Sequence, residues 1–161
     1  MIISSALISI SPAISAPENA ELLNSYIGEW KGSGKLNRAN NTETIRCKLS
    51  VTPAKGSKIN YKGKCAVAGA NFSIAGTMAY FKEKKRYEAV MSSSTSFSGV
   101  AIGERQKDSI DFQLKDRNSE TGDRFEIKSN IELSEEVIGI DFSVVNLTTK
   151  KVISTIIPFS K

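Results

Sequence analysis

The sequence predicts an all-β protein, a single antiparallel up-and-down barrel of about 8–10 strands that follows one short N-terminal helix. After residue 28, short segments that alternate between apolar and polar residues recur at near-regular spacing, and tight turns join them. Closing so many strands into a barrel also removes exposed sheet edges, and a two-sheet sandwich is the alternative. A chain of 161 residues, 40% of them hydrophobic, is long enough for one such domain.

The first sixteen residues differ in composition from the rest of the chain. They carry no charge, alternate Ile, Leu and Ala with Ser, and end in small residues before Pro17. This pattern predicts a secretory signal peptide over residues 1–16 and a barrel domain over residues 17–161; a start upstream of Met1 is one explanation for the missing basic residues. A loose N-terminal extension or a first strand is the alternative.

A short helix is predicted over residues 17–27. Pro17 suits a first helical turn, Glu21 favours the positive end of the helix dipole, and Gly28 favours the end of the helix. The apolar residues are spaced four apart and predict one buried face, made of Leu22, Leu23, Tyr26 and Ile27.

Period-two alternation predicts the strands that follow. The last segment is apolar on both faces, which predicts that it is covered on both sides, for example by the N-terminal helix. The predicted strands cover residues 43–52, 58–67, 71–81, 86–93, 97–102, 110–115, 124–133, 138–144 and 152–159.

Two cysteines stand at mirror-image positions about a predicted turn at Gly56. A hairpin centred there places Cys47 directly opposite Cys65 on the apolar face, where a disulfide would fix the strand register. The pair predicts a structural disulfide and an oxidising compartment, periplasmic or secreted; two free thiols in a cytosolic protein are the alternative. Two thiols without histidine do not complete a zinc site, so neither a metal nor a cofactor is predicted.

Several large apolar side chains are predicted to point into the barrel. A barrel of this size is either filled by side chains or holds a ligand. The candidates for lining a ligand cavity are Phe72, Met78, Tyr80, Met91, Phe112, Phe125 and Phe142.

Charge is distributed unevenly along the chain. Residues 31–65 hold nine Lys or Arg against one acid, whereas residues 104–141 hold eleven acids against six bases. The outward face of the cysteine hairpin is predicted to bind an anion or an acidic partner, such as a lipid headgroup, an envelope polysaccharide or a protein. A solvated strand face is the alternative, and nucleic acid is not predicted because no aromatic residues lie among the basic ones. The basic residues are Arg46, Lys48, Lys62 and Lys64.

The residue content also argues against common catalytic chemistry. Histidine is absent, which removes the commonest general base, and no Gly-x-Ser-x-Gly motif is present. The sequence therefore predicts that the protein is not an enzyme.

No apolar segment approaches the length of a transmembrane span.

The segment Leu23-x-x-Tyr26-x-Gly28-x-Trp30 resembles the start of a lipocalin, in which a short helix leads into a Gly-x-Trp on the first barrel strand. The resemblance implies a barrel with an apolar ligand cavity. It also implies that Trp30 plugs the closed end of the barrel.

Residues 28–80 resemble small exported alphaproteobacterial proteins of unknown function. The matching features are Trp30-Lys31-Gly32-Ser33-Gly34, Arg46-Cys47, Cys65-Ala66 and Ile74-Ala75-Gly76. The chain is also similar to secreted inhibitors of bacterial metalloproteases, which are compact barrels with one disulfide.

These observations predict a non-catalytic exported barrel that binds a small apolar or amphipathic ligand. The alternative is a cell-envelope interaction protein, or a protease-inhibitor-like binding module, that uses the basic hairpin face.

Overall fold

The structure is a computed structural model that describes residues 18–94, 98–118, 120–134 and 136–161. The predicted signal peptide over residues 1–16 lies outside these ranges. Among the described residues, no helix is long and apolar enough to cross a membrane.

The described residues form one helix and ten strands. Their order is α1 (Asn19–Ser25), β1 (Gly28–Arg38), β2 (Asn41–Ala54), β3 (Lys58–Val67), β4 (Ala70–Phe81), β5 (Arg86–Ser93), β6 (Ser98–Gln106), β7 (Ser109–Arg117), β8 (Arg124–Ser134), β9 (Val137–Asn146) and β10 (Val152–Ser160).

The ten strands close into one antiparallel barrel. Each strand pairs with the next along the chain, and β1 also pairs with β10. The predicted all-β barrel is confirmed, and the sandwich alternative is excluded. Several strands extend a few residues beyond their predicted ends, because backbone pairing continues where the apolar alternation stops.

Helix α1 is shorter than predicted and covers one end of the barrel. It begins after Glu18, which forms a capping box with Glu21, and its apolar residues Leu22 and Leu23 are buried. It packs against β3 and β4. The expectation that the last strand is covered on both faces is wrong, since Ile156 on the outer face of β10 is 65% exposed.

The cysteine hairpin forms as predicted. Cys47 lies directly opposite Cys65 in the β2–β3 register, and the two residues form a disulfide. Turn residues Gly56 and Ser57 both have positive φ, which allows the tight reversal between these strands. The register places Lys48 opposite Lys64 on the outer face.

Candidate functional site

The end of the barrel next to α1 is filled by side chains. Trp30, Tyr87, Ile110 and Ile138 are almost fully buried there. Hydrogen bonds attach the helix segment to this layer: the Tyr87 hydroxyl donates to the Asn19 carbonyl at 2.8 Å. This end of the barrel is therefore closed.

Trp30 lies in this closed layer, at the start of β1. Its Nε1 donates a hydrogen bond to the Tyr26 carbonyl at 2.9 Å, which holds the end of the helix segment against the first strand. The Lys161 ammonium lies 5.0 Å from the centroid of the Trp30 ring. No sequence pattern pointed to Lys161, because it is far from Trp30 along the chain.

All seven predicted cavity residues face the barrel interior and belong to its apolar core. Met78 and Phe112 are buried within it. The other five are only partly buried, namely Phe72, Tyr80, Met91, Phe125 and Phe142. Further partly buried core residues lie on the inner face but were not among the predicted cavity residues, including Leu49, Tyr61 and Ile140.

Glycines on the inner face let neighbouring side chains lie flat along the wall. A Cβ at Gly103 would collide with the ring of Phe112, its partner on β7. A Cβ at Gly76 would lie 2.5 Å from the hydroxyl oxygen of Tyr61, its partner on β3. Each aromatic ring thus covers a glycine on the adjacent strand. The ring therefore lies along the barrel wall and does not point toward the barrel axis.

Tyr61 is held in this flat position by a hydrogen bond. Its hydroxyl crosses β4 above Gly76 and donates to the Val90 carbonyl at 3.1 Å. Burial raises the pKa of the Tyr61 hydroxyl to about 12. The hydroxyl therefore remains a neutral donor at physiological pH.

Two oxygen atoms near the opposite end of the barrel lack hydrogen-bond partners among the described residues. They are Thr155 Oγ1 and Glu43 Oε2, and both are buried. Leu36 pairs with Thr155 on one side and with Glu43 on the other, so all three residues lie in one row on the inner face. Glu43 Oε2 nevertheless has an ionic partner, because Arg38 Nη1 lies 3.4 Å from it. The apolar interior thus contains one buried hydroxyl, that of Thr155, with no polar partner among the described residues.

The outer face of β10 and β1–β4 forms a groove of about 1020 Å³, which we call the basic groove. Three of the four predicted anion-binding residues line it: Arg46, Lys48 and Lys64. Lys31 also lines it and was missed, because only the β1–β2 pairing places it opposite Lys48.

Lys62, the fourth predicted anion-binding residue, lies outside the groove. It is opposite Ser50, and Ser50 is opposite Glu29 on β1. Lys62 therefore belongs to the next row of outward residues, which contains an acid.

Among the described residues, no group of three or more Cys, Asp and Glu is placed to hold a metal ion.

Comparison with known proteins identifies the fold. The sequence matches no protein-family profile and no curated protein. The S-type phycobiliprotein lyase CPES from Guillardia theta aligns with a TM-score of 0.61 and 11% identity, over 86% of this chain and 89% of that chain. Rv2717c from M. tuberculosis aligns with a TM-score of 0.68 and 10% identity, over 91% of this chain and 99% of that chain.

At such low identity these likenesses show the fold alone. They agree with the lipocalin-like barrel implied by the segment around Trp30, whereas no family match supports the resemblance to exported alphaproteobacterial proteins. The prediction that the protein is not an enzyme is wrong as it was argued, because a protein with this barrel fold is a lyase. This barrel fold therefore does not decide against catalysis.

Proposed function

We propose that the barrel interior binds a small apolar or amphipathic ligand. The observation that carries the proposal is the partial exposure of apolar residues that face inward along the strands, such as Met91, Ile140 and Phe142. Strand pairing closes the wall around the barrel, and these side chains lie on its inner face. Apolar surface exposed inside a barrel is the usual lining of a ligand site.

The size of the barrel supports the same proposal. Eight strands give an interior that side chains just fill or that holds one small ligand, and this barrel has ten strands. The inner face also carries small residues at Gly76, Ala89, Ala101 and Gly103. Small residues in a wide barrel reduce the side-chain volume that fills it, which is compatible with a ligand-sized interior.

The unpaired hydroxyl of Thr155 favours an amphipathic ligand over a purely apolar one. Thr155 is 4% exposed, and an unpaired hydroxyl at that depth is costly. A ligand hydroxyl or amine near Leu36 would donate to Thr155 Oγ1, while its apolar part contacts Phe142, the partner of Thr155 on β9.

Trp30, the single tryptophan of the chain, provides the test. We would titrate the protein with the neutral apolar fluorophore N-phenyl-1-naphthylamine and follow energy transfer from Trp30. A neutral probe avoids attraction to the basic groove. The proposal predicts saturable transfer, and competition by a long-chain alcohol.

A matched pair of variants locates the binding. Ser129 faces inward between Phe112 and Phe142, whereas Ser143 faces outward between Lys128 and Ser154. Ser129→Phe should weaken probe binding by about tenfold or more, because the added ring fills the interior, and Ser143→Phe should not. Equal effects of the two variants, with both folded by circular dichroism, would contradict an interior site, as would the absence of saturable transfer in the unmodified protein.

We also propose that the protein is exported and is periplasmic or secreted. The Cys47–Cys65 disulfide supports this proposal, since stable disulfides belong to oxidising compartments. The uncharged segment over residues 1–16 supports it as a cleavable signal. N-terminal sequencing of the mature protein from fractionated cells tests the proposal; a cytosolic protein that retains Met1 would contradict it.

A further inference from the structure

The basic groove contains a row of three lysines on adjacent strands. Lys31 lies opposite Lys48, and Lys48 lies opposite Lys64, so the row crosses β1, β2 and β3 on the outer face. Neighbouring strands are about 4.8 Å apart, and like charges placed directly opposite each other destabilise a sheet. Arg46, two residues from Lys48, adds a fourth cation on the same face.

Among the residues that the structure describes, these four cations have no anionic partners. No ion pair or hydrogen bond within the described ranges involves their side chains, and no acid lines the groove. The groove is otherwise lined by neutral polar residues and a few apolar ones; the polar ones are Ser33, Asn71, Ser73, Ser94 and Ser160.

A second groove, on the outer face of β6–β9, shows that this charge pattern is not general. Its volume is about 780 Å³, similar in scale to that of the basic groove. It mixes both signs of charge, with acids such as Asp111 and Asp141 beside Lys115 and Lys128. The unbalanced positive charge therefore distinguishes the basic groove from this second groove.

We propose that the basic groove binds a small molecule that carries two or more phosphate groups. Three ammonium groups spread over two strand spacings, about 10 Å, match several anionic centres better than one. Lysine binds phosphate as a point charge, and the guanidinium of Arg46 can hold a phosphate through two parallel hydrogen bonds. The serine hydroxyls and the Asn71 amide would donate to the remaining oxygens.

The disulfide keeps the lysines aligned. Cys47 and Cys65 pair on the inner face immediately next to Lys48 and Lys64, so the same strand register fixes both pairs. The groove therefore holds its repelling charges in a fixed arrangement before a ligand arrives, which lowers the ordering cost of binding. This site lies on the outside of the barrel and is independent of the ligand proposed for the interior.

Calorimetric titration of the full-length protein tests the proposal. The probes are fructose bisphosphate, inorganic pyrophosphate and inorganic phosphate, and a separate arm uses flotation with phosphatidylcholine vesicles with and without cardiolipin. We expect fructose bisphosphate to bind more tightly than inorganic phosphate, with an affinity that falls as salt rises. Binding to the soluble bisphosphate would identify a free ligand; binding only to cardiolipin vesicles would identify a lipid headgroup carrying the same chemistry.

Lys62 provides the matched control, because it lies on the same face of β3 as Lys64 but outside the groove. Lys48→Gln and Lys64→Gln should each weaken binding about tenfold, as expected for a charged hydrogen bond, whereas Lys62→Gln should leave it unchanged. Removing a repelled lysine should not unfold the protein, so thermal melting separates lost binding from lost structure. Equal losses in all three variants, or no binding of bisphosphate or cardiolipin, would overturn the proposal.

Discussion

Lys48 lies directly opposite Lys64 on the outer face of the barrel, one residue along each strand from the disulfide between Cys47 and Cys65. One register therefore places a stabilising covalent link inside the barrel and a repelling charge pair outside it. This relationship separates two functions of the hairpin: its inner face contributes to the core, and its outer face presents charge to solvent.

Lys64→Glu should stabilise the protein. The substitution replaces a like-charge pair across from Lys48 with an opposite-charge pair, which contributes about 0.2–1 kcal/mol to the free energy of unfolding. Denaturant titration at low salt measures the change. Lys62→Glu is the control and should give no gain, because Lys62 faces Ser50. A gain from Lys64→Glu that persists unchanged at high salt would show that charge is not its cause.

Removing the disulfide should destabilise the protein. Replacing both Cys47 and Cys65 by alanine frees a loop with a sequence separation of 18 residues, which costs about 3 kcal/mol in the chain-entropy account. Denaturant midpoints of the oxidised protein, the reduced protein and the double variant measure this cost. The reduced protein should lose about as much stability as the double variant. Equal stability of all three forms would contradict the structural role of the bond.

Gly103→Ala should destabilise the protein, because its Cβ would meet the ring of Phe112. Overpacking of this kind costs about 1–3 kcal/mol. Gly139→Ala is the matched control in a strand, since the nearest heavy atom to its added Cβ is the Glu132 carbonyl oxygen at 4.0 Å. Gly139→Ala should be neutral or slightly stabilising by denaturant titration. Similar losses in both variants would mean that wall contacts do not determine the cost.

The barrel should lose stability at alkaline pH. Burial raises the pKa of the Tyr61 hydroxyl to about 12. Burial also raises the pKa of Tyr87 to about 12, although the nearby Arg105 opposes this shift. The pKa of Tyr26 is raised as well, mainly by burial. An unfolded tyrosine ionises near pH 10, so above that pH the unfolded chain binds fewer protons than the folded one. The free energy of unfolding should therefore fall between about pH 10 and about pH 12.

Absorbance of tyrosinate, followed together with circular dichroism, checks this pH dependence. The absorbance of these buried tyrosines should rise only as the barrel unfolds. Ionisation of Tyr61 near pH 10 in a fully folded barrel would contradict its burial; the Tyr61→Phe variant identifies its share of the signal.

Local patterns were enough to predict the barrel and the hairpin. Alternation set the positions of β2–β10, whereas β1 had no predicted range, and the symmetry of Cys47 and Cys65 about Gly56 set one register. Helix length was overestimated, because the apolar spacing continues through Tyr26 after the helix has ended. The prediction that the last strand is covered on both faces was wrong, because Ile156 is apolar yet exposed. Alternation of apolar and polar residues does not indicate which outward side chains another element covers.

The candidate sites depend on contacts that local patterns do not contain. The pairing of β1 with β2 brings Lys31 into the basic groove. Lys62 lies outside the groove, because it is two residues from Lys64 along β3 and so belongs to the next row of outward side chains. The match of Gly103 to Phe112 and of Gly76 to Tyr61 likewise requires the registers of neighbouring strands. Such cross-strand relationships appear only once the barrel is closed.

Native mass spectrometry tests the central claim, a ligand inside the barrel, most directly. The protein would be purified without denaturation from the cells that produce it, alongside the Ser129→Phe and Ser143→Phe variants. The account predicts an added mass from an apolar or amphipathic molecule on the unmodified protein and on Ser143→Phe, and its loss from Ser129→Phe. Bare chain mass for the unmodified protein, with no retention of added long-chain alcohol, would contradict the account.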